Sequence, residues 1–300
     1  MLIAATLCSQ TFGGILYSVR LSDVPNPTNN TSTITTIDTQ TGVETIFFSQ
    51  GNTYLSGAGV ASDGSLFVGD LLNDQVLRFD RSGNMSVFAT GISGRGFAFA
   101  ANGDVFVSDV VRNEIKRFTA DGTSQTTIAS GLSQPAELGF DSAGNLFFSS
   151  VFSDSIEQIS PSGTLSTFAT GLDHPEGLAI SMSGDIFVAN QGNGINPSAI
   201  IRFDQAGNRT TFTTALLDAT RGLEFDDAGF LYAANADGSI SRYDASGNGS
   251  IFASGGDTVV SLAFSSAAVP EPSTLAVLGV FAALAACVVH RRKFANTIKE

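Results

Sequence analysis

The residues best suited to chemistry lie in one short segment, Leu172-Asp-His-Pro-Glu-Gly177. It places an imidazole, His174, two residues before a carboxylate, Glu176. A histidine can act as a general base, and a nearby carboxylate can orient it or bind a cation. His174 and Glu176 are therefore the candidate catalytic pair if the chain is an enzyme. A turn that leads into a strand explains the same residues, so both interpretations stay open.

Cysteine and histidine are too scarce for most metal and thiol chemistry. The chain has two cysteines, Cys8 and Cys287, in apolar segments near opposite ends, and two histidines, His174 and His290. A disulfide framework, a cysteine-based metal site and a multi-histidine centre are therefore excluded. We expect no cofactor, and calcium held by oxygen ligands is the alternative.

The chain of 300 residues is acidic, with a net charge of −13. Its last 31 residues contain four basic and two acidic side chains, so the preceding residues have a net charge of −15 and a single lysine, Lys116. Nucleic-acid binding requires clustered lysine and arginine, which excludes this class of partner. An acidic, lysine-poor surface suits solubility outside the cell.

The elements that must position these residues form a repeat. A glycine opens a strand-like segment at intervals of 39, 41, 40 and 45 residues, at Gly64, Gly103, Gly144, Gly184 and Gly229. Each unit contains four short strand-like runs separated by Gly, Asn, Asp and Ser turn signals. Extra residues after Asn190 account for the longest interval, which indicates a loop insertion within the repeat.

Four antiparallel strands in a unit of about 40 residues are typical of a β-propeller blade. Five such units span residues 55–254, while residues 14–50 lack an inner strand that Val259–Phe264 can supply. We therefore predict an all-β fold, a six-bladed β-propeller with one blade shared by the two ends of the chain. A single hydrophobic C-terminal helix is predicted in addition.

A propeller usually binds ligands at a mouth of its axial channel. Eight residues before the repeated glycine, the six blades offer a mixed ring: Ser56, Arg95, Ala136, Glu176, Arg221 and Val260. One carboxylate and two guanidinium groups favour a polar cluster over a calcium site, because calcium takes six to eight oxygen ligands. The candidate ligand-binding residues are Arg95, Glu137, Glu176, Asn190 and Arg221.

Asp or Asn ends the second strand in four of the six blades, where the equivalent residues are Arg20, Asp70, Asp109, Ser150, Asn190 and Asn235. Such side chains accept hydrogen bonds from backbone N–H groups in the following turn. Turn chemistry therefore explains this position, and a ligand role for Asn190 is the alternative.

Two segments resemble NHL repeats: Phe67-Val-Gly-Asp-Leu-Leu-Asn-Asp-Gln-Val-Leu-Arg-Phe79 and Phe106-Val-Ser-Asp-Val-Val-Arg-Asn-Glu-Ile-Lys-Arg-Phe118. The resemblance extends over residues 14–265 and implies the same six-bladed fold. It does not select a function, because propellers of this kind serve as enzymes, binding modules and scaffolds.

The segment around His174 is also similar to gluconolactonase-like lactonases and streptogramin lyases. The first resemblance implies a calcium held by Glu, Asn and Asp, and the second implies two histidines and a glutamate. The chain departs from both, since Arg95 and Arg221 occupy ring positions and His174 is the single histidine of the propeller. A calcium-assisted lactonase or a lyase that uses the channel mouth of the fifth blade is the enzyme alternative.

The C-terminal segment resembles a PEP-CTERM sorting signal, with a motif formed by Pro270, Glu271 and Pro272. Uncharged, mostly apolar residues follow over 275–289 and can form a helix that enters a bilayer. A basic end follows, which stays on the cytoplasmic side and stops transfer: Arg291, Arg292 and Lys293. The resemblance implies cleavage by an exosortase, a membrane protease of bacteria that secrete exopolysaccharide. A plain anchor is the alternative.

The apolar start of the chain resembles the end of a signal peptide. We therefore expect a signal remnant over residues 1–13, a propeller over 14–268 and a sorting tail over 269–300. The expected location is outside the inner membrane, tethered through 275–289 and then transferred to the cell envelope or extracellular matrix. The expected role is that of a binding or structural module for a protein or polysaccharide ligand.

Overall fold

The computed structural model describes residues 14–22, 31–192 and 198–266. These ranges form 24 β-strands and one short 3-10 turn, Val151–Ser153, and contain no α-helix. The strands make six antiparallel sheets of four strands each, which are the blades of a propeller. The predicted all-β, six-bladed fold is therefore confirmed.

The blades follow the chain in order, and each is listed from its inner strand outwards. Blade 1 contains β24 (Thr258–Ser265), β1 (Ile15–Leu21), β2 (Thr31–Asp38) and β3 (Glu44–Gly51). Blade 2 contains β4 (Leu55–Val60), β5 (Leu66–Asp70), β6 (Gln75–Phe79) and β7 (Met85–Thr90), and blade 3 contains β8 (Gly94–Phe99), β9 (Val105–Asp109), β10 (Glu114–Phe118) and β11 (Gln125–Ala129).

The other three blades repeat this arrangement. Blade 4 contains β12 (Pro135–Phe140), β13 (Leu146–Ser150), β14 (Ser155–Ile159) and β15 (Leu165–Ala169). Blade 5 contains β16 (Pro175–Ile180), β17 (Ile186–Asn190), β18 (Ala199–Phe203) and β19 (Arg209–Thr213), and blade 6 contains β20 (Gly222–Phe225), β21 (Leu231–Ala234), β22 (Ser239–Tyr243) and β23 (Gly249–Ser254).

Blade 1 closes the ring by joining the two ends of the propeller. β24 pairs antiparallel with β1, with Tyr17 opposite Ala263 and Ile15 opposite Ser265. The six inner strands contact one another in a closed cycle, in the order β24, β4, β8, β12, β16 and β20. The shared blade predicted from residues 14–50 and Val259–Phe264 is confirmed.

Glycine lets neighbouring inner strands approach closely. A Cβ atom at Gly57 would overlap the carbonyl oxygen of Arg95 in the next blade. The equivalent glycines meet the backbone of their own next blade in the same way, at Gly96, Gly177 and Gly222. This ring of small residues narrows the channel and makes any larger side chain at the same position exceptional.

Phenylalanines fill the spaces between blades. Between blades 4 and 5, a buried cluster joins Phe147, Leu178 and Phe203. Ring pairs between blades include edge-on contacts, as between Phe187 of blade 5 and Phe225 of blade 6, whose ring centroids lie 5.1 Å apart. Edge-to-face pairs are favoured by the aromatic quadrupole, so the recurring phenylalanines fix the packing of one blade on the next.

A recurring Asp-x-x-Gly-Asn turn joins the third and fourth strands of blades 2, 5 and 6 and the first and second strands of blade 4. In blade 2, Asp80 accepts hydrogen bonds from the backbone N–H groups of Ser82 and Asn84 and from the side chain of Asn84. Gly83 takes a φ of 81°, which costs glycine little. The same bonds recur in the turns at 141–145, 204–208 and 244–248.

The expected signal remnant, sorting motif, helix over 275–289 and basic end all lie outside the described residues. Within the described ranges, no helix is long and apolar enough to cross a membrane.

Candidate functional site

Arg95 and Glu176 form an ion pair that links blades 3 and 5, with a nitrogen-to-oxygen distance of 2.5 Å. Each lies at an irregularity in the pairing near the start of its inner strand, β8 or β16, where a bulge re-aims the side chain. The two side chains are 20% and 13% exposed, so solvent screens the pair only in part. Two of the predicted ligand-binding residues are thus each other's partners.

Glu137 projects into the channel from β12. The residues at the equivalent position of the other blades are Gly57, Gly96, Gly177, Gly222 and Ser261. Burial raises the pKa of the Glu137 carboxyl to about 8. Arg95 lowers this pKa, Glu224 and Glu176 raise it, and the hydroxyl of Ser261 in the opposite blade lowers it. The structure therefore turns Glu137 inward, as a ligand-binding role requires.

Glu224 is a second channel carboxylate, which is not among the residues predicted from the sequence. It lies on β20 at a position where the other blades have Gly59, Ala98, Gly139, Ala179 and Ala263. Burial raises its pKa to about 8, and a hydrogen bond from the backbone N–H of Phe264 partly offsets the rise. Comparing the blades at the residue five positions before the repeated glycine, instead of eight, identifies Glu224 as the exception among glycines and alanines.

The channel contains a cavity of about 330 Å³ whose lining includes Glu137 and Glu224. One end is formed by a ring of half-buried apolar side chains at the ends of the inner strands: Val60, Phe99, Phe140, Ile180, Phe225 and Phe264. Arg95 and Glu176 lie near the opposite ends of the same strands and are not part of the lining. The cavity therefore faces away from the channel mouth at which Arg95 and Glu176 lie.

Of the rest of the predicted mixed ring, Ser56, Ala136 and Val260 are buried and Arg221 is half-buried. The hydroxyl of Ser56 donates to the carbonyl of Gly94 at 2.7 Å, and Ala136 is fully buried. Arg221 has a buried Nε that finds no hydrogen-bond partner among the described residues.

His174 lies at the surface, in the turn that precedes β16. Its φ of 48° is left-handed, and its backbone N–H donates to Asp154 at 2.9 Å. Its ring packs edge-on against exposed Phe152, with centroids 6.3 Å apart. No hydrogen bond between the imidazole and Glu176 occurs in the described part of the chain, so the catalytic pair stays a prediction.

Asn190 is buried at the end of β17, where its side-chain oxygen accepts a hydrogen bond from the backbone N–H of Asp173 at 2.6 Å. The residues at the same position in other blades bond similarly, including Asp70, Asp109 and Asn235. In these contacts Asp109 accepts from the following turn, as expected, whereas Asn190, Asp70 and Asn235 accept from the segment that leads into the inner strand of the same blade.

A metal centre has no evident ligand set in the ranges described. Among residues 14–22, 31–192 and 198–266, no group of three or more His, Cys, Asp and Glu side chains could hold a metal ion. The calcium alternative therefore gains no support from these residues.

The sequence matches the model of the PEP-CTERM protein-sorting motif over residues 268–293. Such a motif marks an exported protein that is anchored in the membrane and then processed by an exosortase, itself a membrane protein. No curated protein matches the chain. The sorting signal predicted from the tail is thus confirmed.

The propeller is similar to solved structures at low sequence identity. One is from a nidogen/laminin complex, at 16% identity and a TM-score of 0.71, covering 84% of this chain and 98% of that chain. A gluconolactonase from Xanthomonas campestris has 19% identity and a TM-score of 0.64, covering 81% and 87%. Virginiamycin B lyase from Staphylococcus aureus has 17% identity and a TM-score of 0.59, and the match covers 81% of this chain and 85% of that chain. These likenesses show the fold alone.

Proposed function

We propose that the protein is a non-enzymatic module of the cell envelope or extracellular matrix, delivered there by its sorting tail. The observation that carries this proposal is the order of its parts. The last strand of the propeller ends at Ser265, and the PEP-CTERM motif begins at residue 268. A ligand-binding or structural domain is thereby followed directly by a sorting signal.

The tail chemistry supports the route. Residues 275–289 are apolar enough to enter a bilayer, and the basic cluster that follows favours the cytoplasmic side. This orientation places the propeller outside the inner membrane, where an exosortase releases it near Pro270-Glu-Pro272. The acidic, lysine-poor propeller is suited to that exposed location.

The geometry near the predicted catalytic residues supports a binding role over an enzymatic one. Glu176 is paired with Arg95, whereas His174 packs against Phe152 at the surface. A general base needs hydrogen-bond reach to its partner and its substrate. The described contacts do not supply that reach, and the lactonase and lyase likenesses extend only to the fold.

The test is the fate of the protein in a host that has an exosortase. Replacing Pro270, Glu271 and Pro272 by alanine removes the motif, and replacing Asn296, Thr297 and Ile298 by alanine is the matched control beyond residue 293. Antibodies against the propeller locate each variant in cell fractions, and intact mass shows whether the tail remains.

We expect the wild type and the control to lose the tail and reach the envelope or matrix. The motif variant should keep its tail and stay in the inner membrane. Unchanged mass and location for the motif variant would overturn the sorting route. Release of the wild type as a free periplasmic protein would overturn the envelope or matrix assignment.

A further inference from the structure

The channel cavity has one apolar end and one acidic end. Four phenylalanines and two aliphatic side chains form the outer ring, at Val60, Phe99, Phe140, Ile180, Phe225 and Phe264. The carboxylates Glu137 and Glu224 belong to the same lining. At the other end of the channel, the side chains of Arg95 and Glu176 are joined to each other.

Both carboxylates occupy positions that the fold fills with small residues elsewhere. The equivalents of Glu137 are four glycines and a serine, and those of Glu224 are two glycines and three alanines. Packing of the inner strands therefore does not require a glutamate at either position. Two large acidic side chains at positions that otherwise hold small residues indicate that they serve the cavity and not the packing of the strands.

The two carboxylates lack a dedicated cation of their own. Neither forms an ion pair within the described ranges. The charge of Arg95 lowers the pKa of Glu137, but the Arg95 guanidinium is paired with Glu176. Glu224 receives one backbone hydrogen bond, from Phe264, and no basic group contributes to its pKa. Because burial of an unpaired carboxylate is unfavourable, a positively charged ligand would find two acceptors already placed.

We propose that this cavity binds an organic cation, an ammonium group attached to an apolar body. The ammonium lies against Glu224, with Glu137 as the second acceptor, and the apolar body contacts the aromatic ring. Phenylalanine faces and apolar walls favour alkylated ammonium groups over hydrated ions. A bare divalent cation fits less well, because no group of three ligating side chains is present in the described residues. This inference goes beyond the proposed function and does not depend on the fate of the tail.

The test is calorimetric titration of the full chain with benzyltrimethylammonium, its neutral isostere neopentylbenzene, and phenylacetate. Glu224→Gln and Glu137→Gln each remove one negative charge while keeping the side-chain volume. Glu157→Gln, on the third strand of blade 4, removes the same charge outside the cavity lining and is the matched control. Circular dichroism reports whether each variant is folded.

We expect the ammonium compound to bind and the other two compounds to bind at least about tenfold more weakly. Glu224→Gln should weaken ammonium binding by about tenfold or more, as for loss of one partner of a buried charge pair, and Glu157→Gln should leave it unchanged. Equal binding of the ammonium and its isostere, or no loss in Glu224→Gln, would overturn the proposal. Tight calcium binding that both cavity variants abolish would overturn it in favour of a metal site.

A measurement on the wild type alone keeps the proposal testable if a variant fails to fold. Glu137 is faced by Arg95, Glu176, Glu224 and Ser261, and Glu224 by the N–H of Phe264. Since a quaternary ammonium does not titrate, its affinity should rise between pH 6 and pH 8 as the two carboxyls ionise, while the isostere shows no trend. An ammonium affinity that is flat over this range would contradict the proposal.

Discussion

Arg95 and Glu176 meet across the channel from blades that are not neighbours, at 2.5 Å. Blade 4 lies between them in the ring, so the pair joins two blades whose inner strands are not neighbours in the cycle. The pair therefore links two blades that are not adjacent in the ring. The positive charge of Arg95 also lowers the pKa of Glu137.

Breaking this pair should destabilise the propeller. Arg95→Met leaves Glu176 partly buried and unpaired, and we expect a loss of about 2 kcal/mol in the free energy of unfolding. Arg78→Met is the control, because Arg78 and its partner Asp63 are 32% and 56% exposed, and it should cost less than about 1 kcal/mol. Denaturant unfolding measures both.

The double variant Arg95→Met with Glu176→Leu separates the pair from its surroundings. Replacing both charges by apolar side chains should recover most of the loss. A double variant as unstable as the sum of the two single ones would show that the two residues do not interact energetically.

Stability should fall as the pH rises from about 5 to about 8. The carboxyls of Glu137 and Glu224 have pKa values raised to about 8, whereas an unfolded glutamate titrates near 4.3. In this window the unfolded chain loses protons that the folded chain keeps, so ionisation favours unfolding. Above the folded pKa the effect is complete.

Thermal unfolding midpoints across this pH range give the measurement. The double variant Glu137→Gln with Glu224→Gln should flatten the curve relative to the wild type. Asp80, Asp204 and Asp244 of the Asp-x-x-Gly-Asn turns do not interfere, since hydrogen bonds lower their pKa values and they titrate below the window. An identical slope in the double variant would mean that these two carboxyls are ionised in the folded protein.

Two glycines allow the cost of left-handed backbone to be measured without steric overlap. Gly163 has a φ of 83°, Gly256 has an ordinary φ, and neither would bring a new Cβ within 4 Å of another atom. Gly163→Ala should therefore destabilise the fold by about 1 kcal/mol. Gly256→Ala should be neutral or slightly stabilising. Chemical denaturation compares the two variants, and equal effects would contradict the assignment of the turn.

The enzyme alternative has a direct test. If the protein is a binding module, the purified chain should not hydrolyse gluconolactone or cleave a streptogramin B lactone ring, with or without added calcium. Glu176→Ala should then change stability only, through loss of the contact with Arg95. Calcium-dependent turnover that Glu176→Ala abolishes, and that the exposed variant Asp121→Asn keeps, would establish the lactonase alternative.

The blades could be predicted from the sequence because each one repeats a local pattern. A turn glycine, an alternating strand and a phenylalanine at the blade interface recur at nearly fixed spacing, as in Gly103 to Phe118. The closing strand was predictable for the same reason, since Val259–Phe264 resembles the other inner strands.

The candidate site was only partly predictable, because it depends on which end of the channel holds the cavity. The eight-residue comparison selected Arg95 and Glu176, but their mutual pairing is a contact between non-adjacent blades. Glu224 appears only when a second ring of small residues is compared, and the aromatic end of the cavity consists of residues that also suit an ordinary strand end. Residue type alone does not separate these roles.

The position of β24 also determines when the propeller can form. Its residues, Thr258–Ser265, are synthesised after those of the other 23 strands, yet they provide the inner strand of the first blade. Blade 1 therefore stays incomplete until all but the last 35 residues of the chain have been made. A nascent chain therefore cannot close its ring before Thr258–Ser265 have been made, although the sheets of blades 2 to 6 contain no residue of this strand.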